Sequence, residues 1–317
     1  MIPRRTRAMP IAASTLLTAA LAGCATTGDR GQPLVPSQYQ TRTGPYVVFT
    51  NQPLPADDGV VRQLTSLRSE LEETLGLKVD AGEHPVEVYI LGDRKAFEHF
   101  LTFYYPDLPQ RRAFFIAQGP RRVVYTFQGD RLEEDLRHEA THALLHLAVG
   151  DVPLWLDEGL AEYFESADPA GVNREHMARI PQDLRDGWTP DLARLEGLKA
   201  VRQMAPRDYR EAWAWVHYLL QASGDGRAAL LSYLGDLRGR AGAKPLSIRL
   251  PVPAAEASIA LQSHLRTVRP AEPTRVASAE STVRLQDAPI EVEPIAAPNQ
   301  SPRRRGFFGR LLGRILP

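Results

Sequence analysis

The chain has 317 residues, 43% of them hydrophobic, enough for one sizeable folded domain with tails. Its 38 basic and 38 acidic side chains cancel, and no phosphate-binding loop or nucleic-acid motif is present, so nucleic acid is excluded as a partner. A single cysteine, Cys24, excludes an intrachain disulfide.

Met1 to Gly23 carries Arg4, Arg5 and Arg7, then an apolar run from Ile11 to Ala22. This is the pattern of a secretory signal, too short for an ordinary membrane span. Arg4-Arg5 lacks the rest of a twin-arginine signal, so ordinary secretion is expected. The signal ends in Leu21-Ala22-Gly23-Cys24, which resembles a bacterial lipobox. The resemblance implies cleavage before Cys24, a lipid on its sulfur, and attachment to the membrane of the cell envelope. Ala25 follows; in a Gram-negative host, an acid missing from that position favours the outer membrane. Residues 24–44 are polar and rich in Gly, Pro, Ser, Thr and Gln, and read as a tether.

Residues 45–268 form the expected domain. Tyr46 to Thr50 is a short apolar strand. Asp57 or Asp58 caps a helix with Val61, Leu64, Leu67, Leu71 and Leu75 on its inner side. Val86 to Leu91 alternates as a strand, and Lys95 to Tyr104 is a short helix. Ala113 to Ile116 and Val123 to Phe127 are two more strands.

Leu132, Leu136, Ala140, Leu144 and Ala148 then recur at helical spacing, with Asp130 expected as the cap and Gly150 as the stop. Inside this helix stands His138-Glu139-Ala140-Thr141-His142, an H-E-x-x-H. Four residues is slightly more than one turn, so both imidazoles share a face and can hold one zinc ion. Glu139 projects beside them, placed to take a proton from water activated by the ion. His146, one turn further, is either a rival ligand or a flanking residue.

A catalytic zinc needs a third protein ligand and an open position. Leu145 and Ala148 stand where a metzincin has Gly and His, which excludes that solution. Gly150, Asp151 and Pro153 make a turn into a second helix, Trp155-Leu156-Asp157-Glu158-Gly159-Leu160-Ala161-Glu162-Tyr163-Phe164. Run back along the first, it aims Glu158 at the metal. Glu162, on the same face, is placed to accept from the outer nitrogen of a ligand histidine.

HEATH followed by WLDEGLAEYF resembles the gluzincin metallopeptidases, specifically the peptidase MA-like domains, and more distantly the gluzincin aminopeptidases with their N-E-G-x-A-E motif. The resemblance implies zinc held by His138, His142 and Glu158, Glu139 as general base and acid, and a peptide or protein substrate. Fifteen residues separate His142 from Glu158, fewer than in the aminopeptidases, and no Gly-x-Met-x-Asn motif precedes the helix. The anchor for a substrate's N-terminal amine is therefore missing. In gluzincins an extended substrate pairs with the edge strand beside the metal helix. Val123 to Phe127 or its neighbour is the candidate here; the alternative is a plain core strand.

Asn173 to Pro206 reads as irregular, broken by Pro181, Gly187, Pro190 and Pro206, and as one wall of a cleft. Tyr209 to Leu220 is an amphipathic helix. Gluzincin aminopeptidases carry an oxyanion-stabilising tyrosine at the start of a comparable helix, and Tyr209 matches that position. Glu211-Ala212 stands where Lys-Gly is common. A packing role for Tyr209 is the alternative, and His217 is a rival donor. Helices follow at 226–238 and from Ala254 to Val268.

Residues 269–302 have few large apolar side chains and read as a disordered linker. The tail, 303–317, has five arginines and no acid. On a helix, Phe307, Phe308, Leu311, Leu312 and Ile315 oppose Arg310 and Arg314, so Arg303 to Leu316 suits an anionic membrane or a partner groove. Taken together, strands mixed with helices and then helices alone indicate an α+β fold: a small mixed sheet followed by a mainly helical, zincin-like half carrying the H-E-x-x-H. Two functions fit this chain: a lipid-anchored zinc metallopeptidase, or a non-hydrolytic envelope adaptor acting through its tail.

Overall fold

The computed structural model describes residues 34–269, apart from 81, 107, 109, 110, 167, 223, 240 and 241. The signal, Cys24, the linker beyond Arg269 and the tail Arg303–Leu316 lie outside the described residues.

Side-chain alternation along five short strands builds the first layer. Tyr39–Thr43 (β1), Tyr46–Thr50 (β2), Val86–Leu91 (β3), Phe114–Gln118 (β4) and Arg121–Phe127 (β5) form one sheet in the order β1-β2-β3-β5-β4. The inner pairs β2/β3 and β3/β5 are parallel; β1 and β4 pair antiparallel with β2 and β5. Parallel neighbours need crossovers, supplied by Gly59–Leu75 (α1) after β2 and Arg94–Tyr104 (α2) after β3. Val48, Val86, Val88, Ile90 and Val124 face α1 and the large core. Tyr89, Leu91, Val123 and Tyr125 face the other way, onto Phe97 and Phe100 of α2.

Asp58 caps α1 by accepting from the Val60 amide at 2.8 Å, and Asp93 caps α2 by accepting from Ala96 at 2.8 Å. The buried stripe of α1 is Val60, Leu64, Leu67, Leu71 and Leu75, so Val60 replaces the expected Val61. β1 falls inside the stretch read as tether, and the sheet begins before residue 45. Tyr-Gln-Thr-Arg-Thr has no apolar pattern because an edge strand need bury little; its residues alternate half-buried and exposed.

Seven α-helices follow among the described residues: Leu132–Ala148 (α3), Leu154–Glu165 (α4), Arg174–Arg185 (α5), Leu192–Gly197 (α6), Pro206–Gln221 (α7), Gly224–Arg238 (α8) and Ala254–Thr267 (α9). The expected α+β architecture, a small mixed sheet followed by helices, is therefore the observed one. Asn173–Pro206 is not irregular, since α5 and α6 occupy much of it. Asn173 caps α5 by accepting from the His176 amide at 3.0 Å, and buried Ile180 and Asp183 dock the helix despite Pro181. Among the described residues no helix is long and apolar enough to cross a membrane.

The α4–α7 crossing depends on Gly159. A Cβ there would lie 2.6 Å from the Ala212 carbonyl oxygen and 2.9 Å from Val216 Cγ2. Gly159→Ala should force α4 and α7 apart at an overpacking cost of about 1–3 kcal/mol. A domain of this size loses about 2–4 °C of Tm per kcal/mol. Gly235→Ala in α8, where a Cβ meets nothing within 4 Å, should raise Tm slightly by helix propensity. Thermal melts of the two variants check the contrast.

Candidate metal centre

Gly150, at φ 91°, donates its amide to the Leu145 carbonyl and ends α3. Asp130 does not cap that helix. Arg131 occupies the cap position and makes no side-chain capping bond, and Glu133, Glu134 and Asp135 complement the helix dipole in the first turn. Pro153 starts α4, which runs back antiparallel along α3. Arg137, 2% exposed, locks this arrangement. Its guanidinium donates to the Phe164 carbonyl at 2.8 Å and the Ser166 carbonyl at 3.4 Å, at the end of α4. It also reaches Glu70 at 2.5 Å and Gln63 at 3.2 Å on α1.

The antiparallel register brings three expected ligands together. The His138 and His142 rings lie 5.0 Å apart. Each Nε2 is 3.9 Å from Glu158 Oε2, and one ligand atom from each residue lies within 4.8 Å of the others. A tetrahedral ion bound at about 2.0–2.1 Å needs donor separations of about 3.3 Å, so small side-chain shifts suffice. Both outer nitrogens have a carboxylate behind them: His138 Nδ1 hydrogen-bonds Glu165 Oε2 at 3.0 Å, and His142 Nδ1 lies 3.2 Å from Asp157 Oδ2. The Glu165 bond fixes the His138 orientation that leaves Nε2 available. His142 Nε2 and both Glu158 oxygens are buried with no hydrogen-bond partner. Such orphans are rare in a folded protein, and two imidazoles with one carboxylate form a zinc-type donor set. The residues fit a metal.

Electrostatics agree. Burial pulls the His138 imidazole down, but Glu165 outweighs it and pushes it up to about 10. Burial likewise opposes protonation of His142, and Asp157 and Glu158 shift it upward. Burial pushes Glu158 up to about 8 against the pull of His142 and His138. Each ligand therefore holds its proton more tightly than usual in the metal-free protein.

Other expected residues separate. Glu162 does not take up a histidine's outer nitrogen: it lies 3.0 Å from His176 Nε2 and accepts from Asn173 Nδ2 at 3.0 Å. Its oxygens, with Glu165 and His138, form a second close group, but these hydrogen bonds already occupy it. His146 is turned to the sheet, where its Nδ1 accepts from Arg122 at 3.0 Å. His217 pairs with His264 at 2.8 Å, away from the ligands. Glu211 is structural: buried, it accepts from Trp188 Nε1 at 2.9 Å, the Asp191 amide at 2.7 Å and Arg194 at 2.9 Å. Ala212 provides the small surface against Gly159.

Tyr209 does reach the site. It lines a cavity of about 690 Å³ with His138, Glu158, Glu162 and His176, walled by α5 and the start of α7. Its hydroxyl is buried without a partner, and burial together with Glu158 holds the phenol protonated. Glu139 is 4% exposed, with Oε2 unpartnered. β5 lies between β3 and β4, so the edge strand near α3 is its neighbour, β4. Asp157, Glu165, His176 and Arg111 were not singled out from sequence. Asp157 directly precedes Glu158, and Glu165 lies two turns beyond it on the same face, which was an available signal.

Residues 134–245 match a family model described as "Protein of unknown function (DUF1570)". The match takes in His138, Glu139, His142, Glu158 and Tyr209, while Arg111 precedes it. No curated protein matches the chain.

Because all three ligands have raised pKa values, metal binding must release protons. Zinc affinity should rise as pH goes from about 6 to about 8, measured by competition with a chelator. Glu158 adds the opposite trend to the stability of metal-free protein. Its contribution is full below the ordinary carboxylate range and is lost as pH rises through about 8. Asp157→Asn and Glu165→Gln should each weaken zinc about 10–100-fold without removing a ligand.

Proposed function

We propose that the chain is a zinc-dependent metallopeptidase of gluzincin type, held at the cell envelope by a lipid on Cys24. One observation supports the chemistry above all. Arg111, Glu139, His142, Glu158 and Tyr209 each hold a buried polar atom without a hydrogen-bond partner, around a two-histidine, one-carboxylate donor set. Groups prepared this way await a ligand and a reacting bond.

His138, His142 and Glu158 would hold the ion. Bound zinc supplies Lewis-acid polarisation of a carbonyl and acidifies water. Glu139, next to His138 in the chain, takes a proton from the attacking water and passes it to the leaving amine. Tyr209 donates its hydroxyl to the carbonyl oxygen as negative charge develops. Asp157 and Glu165 keep the histidines oriented. β4, antiparallel to β5 and with no second strand beside it among the described residues, offers backbone hydrogen bonds to an extended peptide. The cavity beside Tyr209 takes part of the substrate.

Zinc-loaded protein should cleave members of a random peptide library, read by mass spectrometry. Glu139→Gln should keep its zinc and lose about 10²–10⁴-fold in rate. Undiminished cleavage by that variant overturns the assignment of the base. A wild type that holds zinc and cleaves nothing favours the adaptor reading. Separately, Cys24→Ser should move the protein from the membrane fraction to the soluble one; unchanged partitioning rejects lipid anchoring through that residue.

A further inference from the structure

Arg111 stands three residues before β4 and outside every motif in the chain. Its Nε and Nη1 are shielded from solvent and bond to nothing. Three other arginines near the site are paired: Arg112 with Asp135 at 2.6 Å, Arg210 with Asp183 at 2.6 Å, and Arg137 with four acceptors. The Arg112–Asp135 pair ties this segment to α3 one turn before Glu139; burial acts most on the charge of Arg111, and Glu139, Glu158 and Tyr209 are the groups near enough to oppose it. These are the proposed base, a ligand and the hydroxyl donor, whereas Glu175 and Arg179 at the outer cavity are not among them.

A guanidinium stays charged even when buried, and a buried cation with free donors costs stability. Closure onto Glu139 would relieve it, yet Glu139 Oε2 is also unpartnered. The donors are thus kept open beside the reacting groups. With a metal bound, Glu158 is committed to the ion, and the Arg111 donors stay open.

We infer that Arg111 is a further catalytic residue, whose Nε–H and Nη1–H join the Tyr209 hydroxyl in binding the oxyanion that forms on the scissile carbonyl. The inference rests on the metallopeptidase reading. In the step, a water oxygen bonds to the carbonyl carbon and its proton passes to Glu139. The carbonyl π pair becomes the lone pair held by Arg111 and Tyr209. Collapse re-forms the C=O bond and breaks the C–N bond, and the amine takes the proton from Glu139. Planar, charged donors aimed at developing charge are the strongest kind for this task.

The test uses zinc-loaded full chain: wild type, Arg111→Met and Arg111→Lys. The probes are an N-acetylated phosphinic Ala-Ala pseudodipeptide, as free acid and as C-terminal amide, and acetohydroxamate. The phosphinate mimics the tetrahedral anion; the hydroxamate reports the metal alone. Arg111→Met should weaken both phosphinic forms by about 10²-fold or more and leave acetohydroxamate affinity and zinc content unchanged. Its Tm should not fall, because an unpaired buried cation is removed. Arg111→Lys keeps charge without the planar fork and should fall between, at about tenfold; it carries the test if the Met variant fails to fold. Equal loss of acetohydroxamate, or a lowered Tm with phosphinate binding intact, assigns Arg111 a structural role and overturns the inference. Loss confined to the free acid makes it a reader of the substrate carboxylate and also overturns it, as does a wild type that binds acetohydroxamate but neither phosphinic form. A wild type that takes up no zinc or binds no acetohydroxamate rejects the metallopeptidase reading itself, and the inference with it.

Discussion

A carboxylate with no hydrogen-bond partner in a protein interior is costly, and Glu158 is such a group, fully buried with both oxygens orphaned. Left to itself α4 would rotate or fray to hydrate it. Two contacts on opposite sides of α4 oppose this. Arg137 binds the last carbonyls of α4 and ties them to α1. At mid-helix, the missing side chain of Gly159 lets α7 approach so closely that rotation is opposed. Glu158 therefore faces the two histidines whether or not its charge is compensated, and the cost is carried by packing elsewhere in the core.

Behind the ligands runs a line of hydrogen bonds, His138 to Glu165, Glu165 to Asn173 and Asn173 to Glu162, extended by the close approach of Glu162 to His176 at 3.0 Å. It joins α3, α4 and the N-terminal cap of α5. The residue that starts α5 thus also orients the ligand shell, and α5 is a cavity wall for the same reason that it is a helix. Asp183 on its far turn pairs with Arg210 and Arg207, which hold α5 to α7 near Tyr209.

The parts of this site that were legible in the sequence are those set by local periodicity. His138 and His142 share a face because four residues is about one helical turn, and no tertiary contact can change that. Glu158 was readable because the turn at Gly150, Asp151 and Pro153 sends the second helix back along the first, and the resemblance to a known motif points to the same residue. The outer partners were misassigned to Glu162 because the choice among Glu158, Glu162 and Glu165, all on one face, depends on how far α4 slides along α3. That register is set by Arg137 and Gly159, neither of which carries a periodic signal. β1 was hidden by the polar sequence an edge strand permits. α5 and α6 were hidden by prolines, since Pro181 reads as a breaker, whereas capping at Asn173 and docking through Ile180 and Asp183 outweigh its single lost bond. Arg111 sits in a connection with no pattern at all, and only three-dimensional proximity reveals it.

In the metallopeptidase reading, this last group also couples binding to chemistry. Arg111 precedes β4 by three positions, across a bend at Arg112. A peptide that adds to the edge of β4 orders that strand and, with it, the segment carrying Arg111. Tyr209 approaches from the other side, on the first turn of α7, which is fixed by Asp208 accepting from the Ala205 amide at 2.7 Å. One oxyanion donor is then held by the helical core and the other by the strand on which substrate lies. A short or poorly paired ligand engages the core donor alone. An extended one engages both, so binding energy from parts of the substrate remote from the cleaved bond is converted into stabilisation of the transition state.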